Sequence, residues 1–329
     1  MNGLRLAKQS FHRFGRRIVR FWDIHRPRNR GDSKTRIDPA ARAEYGNPLD
    51  LSVMSFNIRR GTAKDGRNHW QFRRNLVHEV LNRYRPDVLG LQEAMDFQIS
   101  EIRAMLPGYE KVGCGHLGGS QGLHNAIFYD SGRFVLSEAG TFWLSDTPDT
   151  PASKGWGNVL PRTCTWVRLI AKETRQAFYV YNIHLDHISP RSRRKSVVLL
   201  TQRIGSRPSA DPFVLTGDFN AGEKSAPIQY LKGKILREPR TQRKRINPDP
   251  LLDAFRVRYP NHRRPVTFHG FRRFFFRFRL DYIFVPSCVR VRDAKIIQLQ
   301  HKRCYPSDHF PLLTYVDLPV DAASLAPPS

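Results

Sequence analysis

Apolar residues along this chain fall into short dense runs, separated by amphipathic or polar stretches. "LSVMSFN" ending at Asn57, "PDVLGLQE" ending at Glu93, "LHNAIFYD", "TCTWVRLI", "AFYVYNIHL", "PFVLTGDF", "LDYIFV" and "FPLLTYVDL" all read as strands. Runs of this length with apolar residues at successive positions suit strands buried on both faces. Between them, "HWQFRRNLVHEVLNRY" repeats apolar residues at helical spacing, with Leu76, Val77, Val80, Leu81 and Tyr84 on its inner face. A second helix is expected over "RSRRKSVVLLTQRIG". Strands this apolar, interleaved with helices, predict sheets covered on their outer faces by helices. No internal repeat is present.

The chain before these runs has a different character. On a helix, Leu4, Phe11, Phe14, Ile18 and Trp22 fall near one face, while Lys8, Arg13, Arg16, Arg17 and Arg20 cover much of the rest. A basic amphipathic helix of this kind can lie on an anionic membrane surface or track phosphates. Gly15 interrupts it, so a poorly ordered leader is the competing expectation. The Pro- and Gly-punctuated stretch that follows places a boundary near Asn47. The expected organisation is a leader over 1–48, a catalytic domain over 49–318 and a tail over 319–329.

Charge sharpens this picture. The 329 residues hold 55 Lys+Arg against 29 Asp+Glu, a formal net charge of +26, and the excess concentrates in residues 1–50 and 232–279. Such an imbalance calls for a polyanionic partner, whether nucleic acid, a phosphorylated substrate or an anionic membrane surface met through residues 4–22, with a merely solvated surface as the plainer alternative. The four cysteines are widely spaced with no CxxC pair, as expected of reduced thiols in a cytoplasmic protein. No stretch approaches the roughly 20 apolar residues of a membrane span, and basic residues stand where a secretory signal needs its apolar region. The expectation is a cytoplasmic monomer, diffusing or peripheral to a membrane.

Polar residues then recur where the apolar runs end: Asn57, Glu93, His184 and Asp218, with Asp281 opening "DYIFV" and Asp308 and His309 just before "FPLLTYV". Asn, Glu, Asp and His at converging strand ends suit metal-assisted attack on phosphorus, since magnesium prefers oxygen ligands and a neighbouring base can activate water. In "FVLTGDFNA", Asp218 and Asn220 are two apart and would share one face if extended backbone persists through Phe219.

"SFNIRRG", "PDVLGLQE", "NIHLDH", "LTGDFNA", "RLDYIFV" and "YPSDHFP" occur in the order and rough spacing of the endonuclease/exonuclease/phosphatase superfamily, which the chain resembles over about residues 49–318. That resemblance implies a four-layer α/β sandwich, two packed mixed sheets flanked by helices. It implies Mg2+, with Mn2+ as a substitute, on Glu93 assisted by Asn57 and Asp308. His309, paired with Asp281, would be the base or an electrostatic stabiliser. Asp218 and Asn220 would position water and the scissile phosphate, and His184 would donate to the non-bridging oxygens. "NIHL" resembles the histidine branch of the family, shared by deoxyribonucleases, deadenylases, sphingomyelinases and phosphoinositide phosphatases.

Substrate contacts are expected from Lys154 and Arg162, since "GTFWLSDTPDTPASKGWGNVLPRTCTW" resembles a group of largely uncharacterised members, with Trp156 as readily a packing residue. Arg277 and Arg279, in "FHGFRRFFFRFRLDY", could neutralise phosphates while the interleaved phenylalanines stack bases, the segment could equally dip into a lipid interface, or the phenylalanines could fill the core. The expected activity is nuclease-like phosphodiester hydrolysis. A phosphatase or phosphodiesterase acting on a lipid or sugar phosphate is the alternative, and a catalytically silent polyanion-binding module a third.

Overall fold

The computed structural model describes residues 48–237, 242–272 and 277–319. The expected leader helix over 4–22, Arg273 and Phe274, Phe275 and Phe276 lie outside the described residues. In chain order the strands are β1 (Leu49–Asn57), β2 (Val88–Ala94), β3 (Tyr109–Val112), β4 (His124–Asp130), β5 (Phe134–Trp143), β6 (Thr163–Ala171), β7 (Ala177–His184) and β8 (Phe213–Asp218). They continue with a two-residue ribbon, β9 (Leu236–Arg237) and β10 (Lys244–Arg245), then β11 (Leu252–Asp253), β12 (Asp281–Val285), β13 (Arg290–Ile296) and β14 (Leu312–Leu318). The helices are α1 (Trp70–Tyr84), α2 (Asp96–Met105), α3 (Pro190–Gly205), α4 (Ala226–Leu231) and α5 (Ala254–Arg258).

Two six-stranded mixed sheets result, ordered β13-β14-β1-β2-β4-β3 and β11-β12-β8-β7-β6-β5. Each has one parallel pair at its centre, β1 with β2 and β7 with β8, and antiparallel neighbours elsewhere. The side-chain alternation of extended backbone explains why the runs are apolar throughout. From β1, Leu51 and Val53 join Val180, Val214 and Ile283 between the sheets, while Met54 and Phe56 turn outward to Val77, Val80 and Ile102 of the helices. On the other sheet Leu215, Tyr282 and Phe284 face outward to Val197, Leu200 and Ile204 of α3. Each such burial contributes about 1.5–3 kcal/mol, so all three interfaces stabilise the four layers. Among the described residues no helix is long and apolar enough to cross a membrane.

Near the middle of the sandwich the two sheets are joined by polar groups. The Gln92 amide donates to Asn182 Oδ1 at 2.6 Å, Asn182 Nδ2 donates to the Leu91 and Ala126 carbonyls, and Thr216 Oγ1 donates to Asn182 Oδ1. Gly90 leaves room for this bridge, because a Cβ there would stand 2.5 Å from Thr216 Oγ1. The bridge fixes one sheet against the other just below the strand ends that carry the site.

Candidate active site

Strand register builds the first half of the site. β7 runs parallel to β8 with His184 opposite Asp218, and β12 runs antiparallel with Asp281 opposite the same Asp218. His309, on the loop before β14, places Nδ1 2.8 Å from Asp281 Oδ2 and Nε2 3.8 Å from Asp218 Oδ2. His184 Nε2 is 3.5 Å from the same Asp218 oxygen, so one carboxylate lies between two imidazoles. All four side chains are buried.

Their surroundings split the two imidazoles. Burial alone would lower His309, but the charges of Asp281 and Asp218 outweigh it and raise the ring to about 10. Burial lowers His184 well below the ordinary histidine range, and the Arg162 and His309 charges add to that fall. Burial also raises the Asp218 carboxyl, against the pull of His309. The ring beside Asp281 is thus held as a cation and the ring beside Arg162 as a neutral base.

Asn220 reaches this row by a route other than the expected one. Extended backbone stops at Asp218, and the buried Phe219 packs outward against Tyr282 and Phe284. The Asn220 amide N–H donates to Asp218 Oδ1 at 2.9 Å in a tight turn that puts Asn220 itself at φ 46°. Its side chain then donates to the Leu185 carbonyl and touches His184 Nε2 at 3.1 Å. An Asn tolerates that left-handed backbone better than most residues, which suits it to the turn just beyond the strand's end.

The other sheet supplies the second half. Asn57 ends β1, and its Nδ2 donates to Glu93 Oε1 at 3.3 Å and to Asp218 Oδ2 at 3.0 Å. Glu93 sits in an irregular stretch of β2 at φ 60°, a backbone conformation that costs a non-glycine residue about 1–2 kcal/mol. Asp308 is held by Ser307, whose hydroxyl bonds both Asp308 Oδ1 and the Asn57 carbonyl. Burial raises the Asp308 carboxyl, His309 pulls it back, and the Glu93 charge adds to the rise. Two hard carboxylates close enough to feel each other, beside an amide, are the donor chemistry a small divalent cation takes, and such an ion would relieve their repulsion. Donor atoms of Asp218, Asp281 and His309 also lie within 4.8 Å of one another. There, however, the short His309 contact to Asp281 already uses the Nδ1 position.

Asn57, Glu93, His184, Asp218, Asn220, Asp281, Asp308 and His309 therefore converge, most of them on the floor of an open cleft of about 750 Å³. Arg162 joins them. It is buried, with one terminal nitrogen 3.2 Å from His184 Nδ1, the other 2.8 Å from His187 Nδ1, and Nε 3.6 Å from Asp186. Arg59 and Arg60 from "SFNIRRG" and His187 from "NIHLDH" also line the cleft, although sequence reasoning picks out only Asn57 and His184 from those motifs. Its walls are largely apolar, with Leu123, Val159, Leu160, Phe268 and Phe271.

Three other expected substrate residues lie elsewhere. Arg279 is not at the cleft: its guanidinium is buried, bonds Asp253 through both terminal nitrogens and Glu223 at 2.7 Å, and covers Tyr282 at 4.5 Å. Alternation in "RFRLDY" turns it inward to carboxylates that are distant in sequence. Lys154 is exposed and outside the cleft lining, as is Arg277, which stands near the cleft's edge beyond Phe268 and Phe278. Trp156 is a packing residue, with its indole N–H on Asp146, its carbonyl on Ser189 and Lys195 over its ring.

Comparison with known proteins gives a family model, described as Endonuclease/Exonuclease/phosphatase family, that matches residues 54–309. An uncharacterized protein, L388 of Acanthamoeba polyphaga mimivirus, is 31% identical over 187 residues, 53% of this chain and 68% of that one. The crystal structure of an endonuclease/exonuclease/phosphatase from Bacteroides vulgatus is 30% identical, with a TM-score of 0.73 over 82% of this chain and 99% of the other. A mannosyl-6-phosphatase from Bacteroides thetaiotaomicron is 28% identical, with a TM-score of 0.67 over 81% and 99%.

Proposed function

We propose, from the premise that this chain belongs to the endonuclease/exonuclease/phosphatase family of phosphate-ester hydrolases, that it cleaves a phosphodiester of nucleic acid by water attack assisted by a divalent ion. The observation that carries this reading is Asp218, a buried carboxylate between a cationic and a neutral imidazole, linked through Asn57 to Glu93. Glu93 and Asp308, with Asn57, would hold Mg2+ or Mn2+. The bound ion supplies neutralisation of charge on the phosphoryl oxygens. Asp218, raised toward neutrality, accepts a proton from the attacking water. Asn220 and His184 orient the non-bridging oxygens, and Arg162 adds a fixed positive charge behind them. His309 stays protonated against Asp281 and stabilises the charge that builds on the phosphoryl and leaving oxygens as the ester P–O bond breaks.

A polymeric substrate is supported by the cleft's rim. From Ala254 to Leu280 and from Lys295 to Ser307 the chain has no acidic residue, and from Ile58 to His69 only Asp65, which bonds Arg59. These segments touch: Tyr305 N–H donates to Asn68 Oδ1, and His269 packs on Tyr305 at 4.5 Å. Arg60, Arg67, Arg272, Arg277, Lys302 and Arg303 are exposed along them, among single exposed aromatics such as Phe72 and Phe278. Cations interleaved with isolated rings suit a single strand better than a lipid surface. The likeness to a mannosyl-6-phosphatase favours a second reading, a sugar phosphomonoester.

A panel of single-stranded DNA, RNA, mannose 6-phosphate and phosphoinositide vesicles, assayed with Mg2+, separates these readings. Nucleic-acid cleavage is expected, with affinity falling at a log-log slope of about −0.7 per neutralised phosphate, flattened by Arg67→Gln with Arg303→Gln. Hydrolysis of mannose 6-phosphate alone would establish the second reading, and vesicle hydrolysis alone a lipid substrate. Full turnover in chelator would refute the role of the ion.

A further inference from the structure

Arg73 is fully buried in α1, yet among the described residues no carboxylate lies within ion-pair distance of it. Its guanidinium instead gathers four backbone carbonyls. Nε donates to Asn68 at 2.9 Å, one terminal nitrogen to Ile58 at 2.6 Å and Pro306 at 2.9 Å, and the other to Arg59 at 2.7 Å. The ring of Trp70 lies 4.9 Å away. A buried cation without an anionic partner is expensive, and an apolar side chain of similar volume would fill the space more cheaply. Packing alone therefore does not account for an arginine here.

The carbonyls it gathers follow a pattern. Ile58 and Arg59 come directly after Asn57, and Pro306 precedes Asp308 by two residues. The planar fork of donors, reaching 15 and 14 residues back to Ile58 and Arg59 and 233 residues on to Pro306, fixes these two segments in one geometry. Ser307 repeats the tie by donating to the Asn57 carbonyl at 2.7 Å. The buried Gln98 links the third segment. Its Oε1 accepts from Gly61 and from Met95, two residues beyond Glu93, while its Nε2 donates to the Arg59 carbonyl.

We propose that Arg73 is a positioning residue that sets the spacing of Asp308 from Asn57 and Glu93, and so the affinity of the site for a divalent cation. This rests on the assignment of those three residues to the ion. Groups that orient metal ligands from behind typically matter by about tenfold to hundredfold in affinity.

The test is calorimetric titration of Mn2+ into the full chain without substrate, with turnover measured separately against Mn2+ concentration. Arg73→Met is expected to weaken Mn2+ binding by about tenfold to hundredfold while near-ultraviolet circular dichroism stays native and turnover at saturating Mn2+ changes only a few-fold. Arg73→Lys, which keeps the charge but loses the fork, and Ser307→Ala, which loosens the same two segments, should fall in between. If Arg73→Met does not fold, Arg73→Lys decides. Variants that bind Mn2+ as tightly as the natural chain, whatever their stability, overturn the inference and leave the proposed function standing. A natural chain that binds no Mn2+ overturns both.

Discussion

Replacing Arg279 with methionine should lower thermal stability sharply and leave substrate affinity unchanged. Arg279 is 4% exposed and Asp253 3% exposed, so methionine keeps most of the packing volume while stranding a carboxylate out of water. Removing one partner of such a pair costs about 3–5 kcal/mol. Glu223 adds little, because Arg256 still meets both of its oxygens at 2.6 and 2.7 Å. At about 2–4 °C per kcal/mol for a domain of this size, the midpoint should fall by roughly 6–20 °C. Circular dichroism melts give the shift, and KM measured well below the new midpoint tests the site. Adding Asp253→Asn to Arg279→Met should recover much of the loss, since neither charge then remains. An unchanged midpoint with a raised KM would refute the ion-pair argument and return Arg279 to the substrate.

Glu93→Gln removes charge from the proposed ion site with little change in volume, so turnover should drop by at least about a hundredfold while the melt stays native; near-normal turnover counts against Glu93 as a ligand. His309→Ala and Asp281→Asn should each depress kcat, and the double variant should be little worse than the poorer single; losses that multiply mean the 2.8 Å contact is not a working unit. Burial would raise the Glu223 carboxyl, but Arg256 and Arg279 hold it below the ordinary value of about 4.3. Its contribution is thus present above that value and lost as pH falls through the lower folded one. Urea melts should show Glu223→Gln less stable than the natural chain at a constant margin from pH 7 to about 5, narrowing below; a margin that widens on acidification would reverse the assignment.

The central strands were legible because both of their faces are dry, which leaves unbroken apolar runs in the sequence. β5 and β13 were not, since they stand at or next to a sheet edge with much of one face in water and carry mixed residues such as "RVRDAKI". Asn57, Glu93, His184 and Asp218 were visible because a lone polar residue after such a run is conspicuous. What sequence hid was direction and partnership. Asn220 reaches the cleft through a left-handed turn that no period-2 pattern anticipates. Arg279 sits in a basic, aromatic segment, but its carboxylates are 26 and 56 residues upstream. Arg73 looks like one more polar position of an amphipathic helix, and only the convergence of two loops on it reveals a buried face.

Asn57 and Glu93 belong to one sheet, and His184, Asp218 and Asp281 to the other, with the amide bridge of Gln92 and Asn182 between them. On the proposed assignment neither sheet would be catalytic by itself, and the chain would have to be made as far as His309 before the set is complete. Contacts of such long sequence separation form slowly. During refolding, regained turnover should therefore lag regained secondary structure and act as a clock for the docking of the two sheets. A chain truncated before Ser307 would be silent, however well its remaining strands pair.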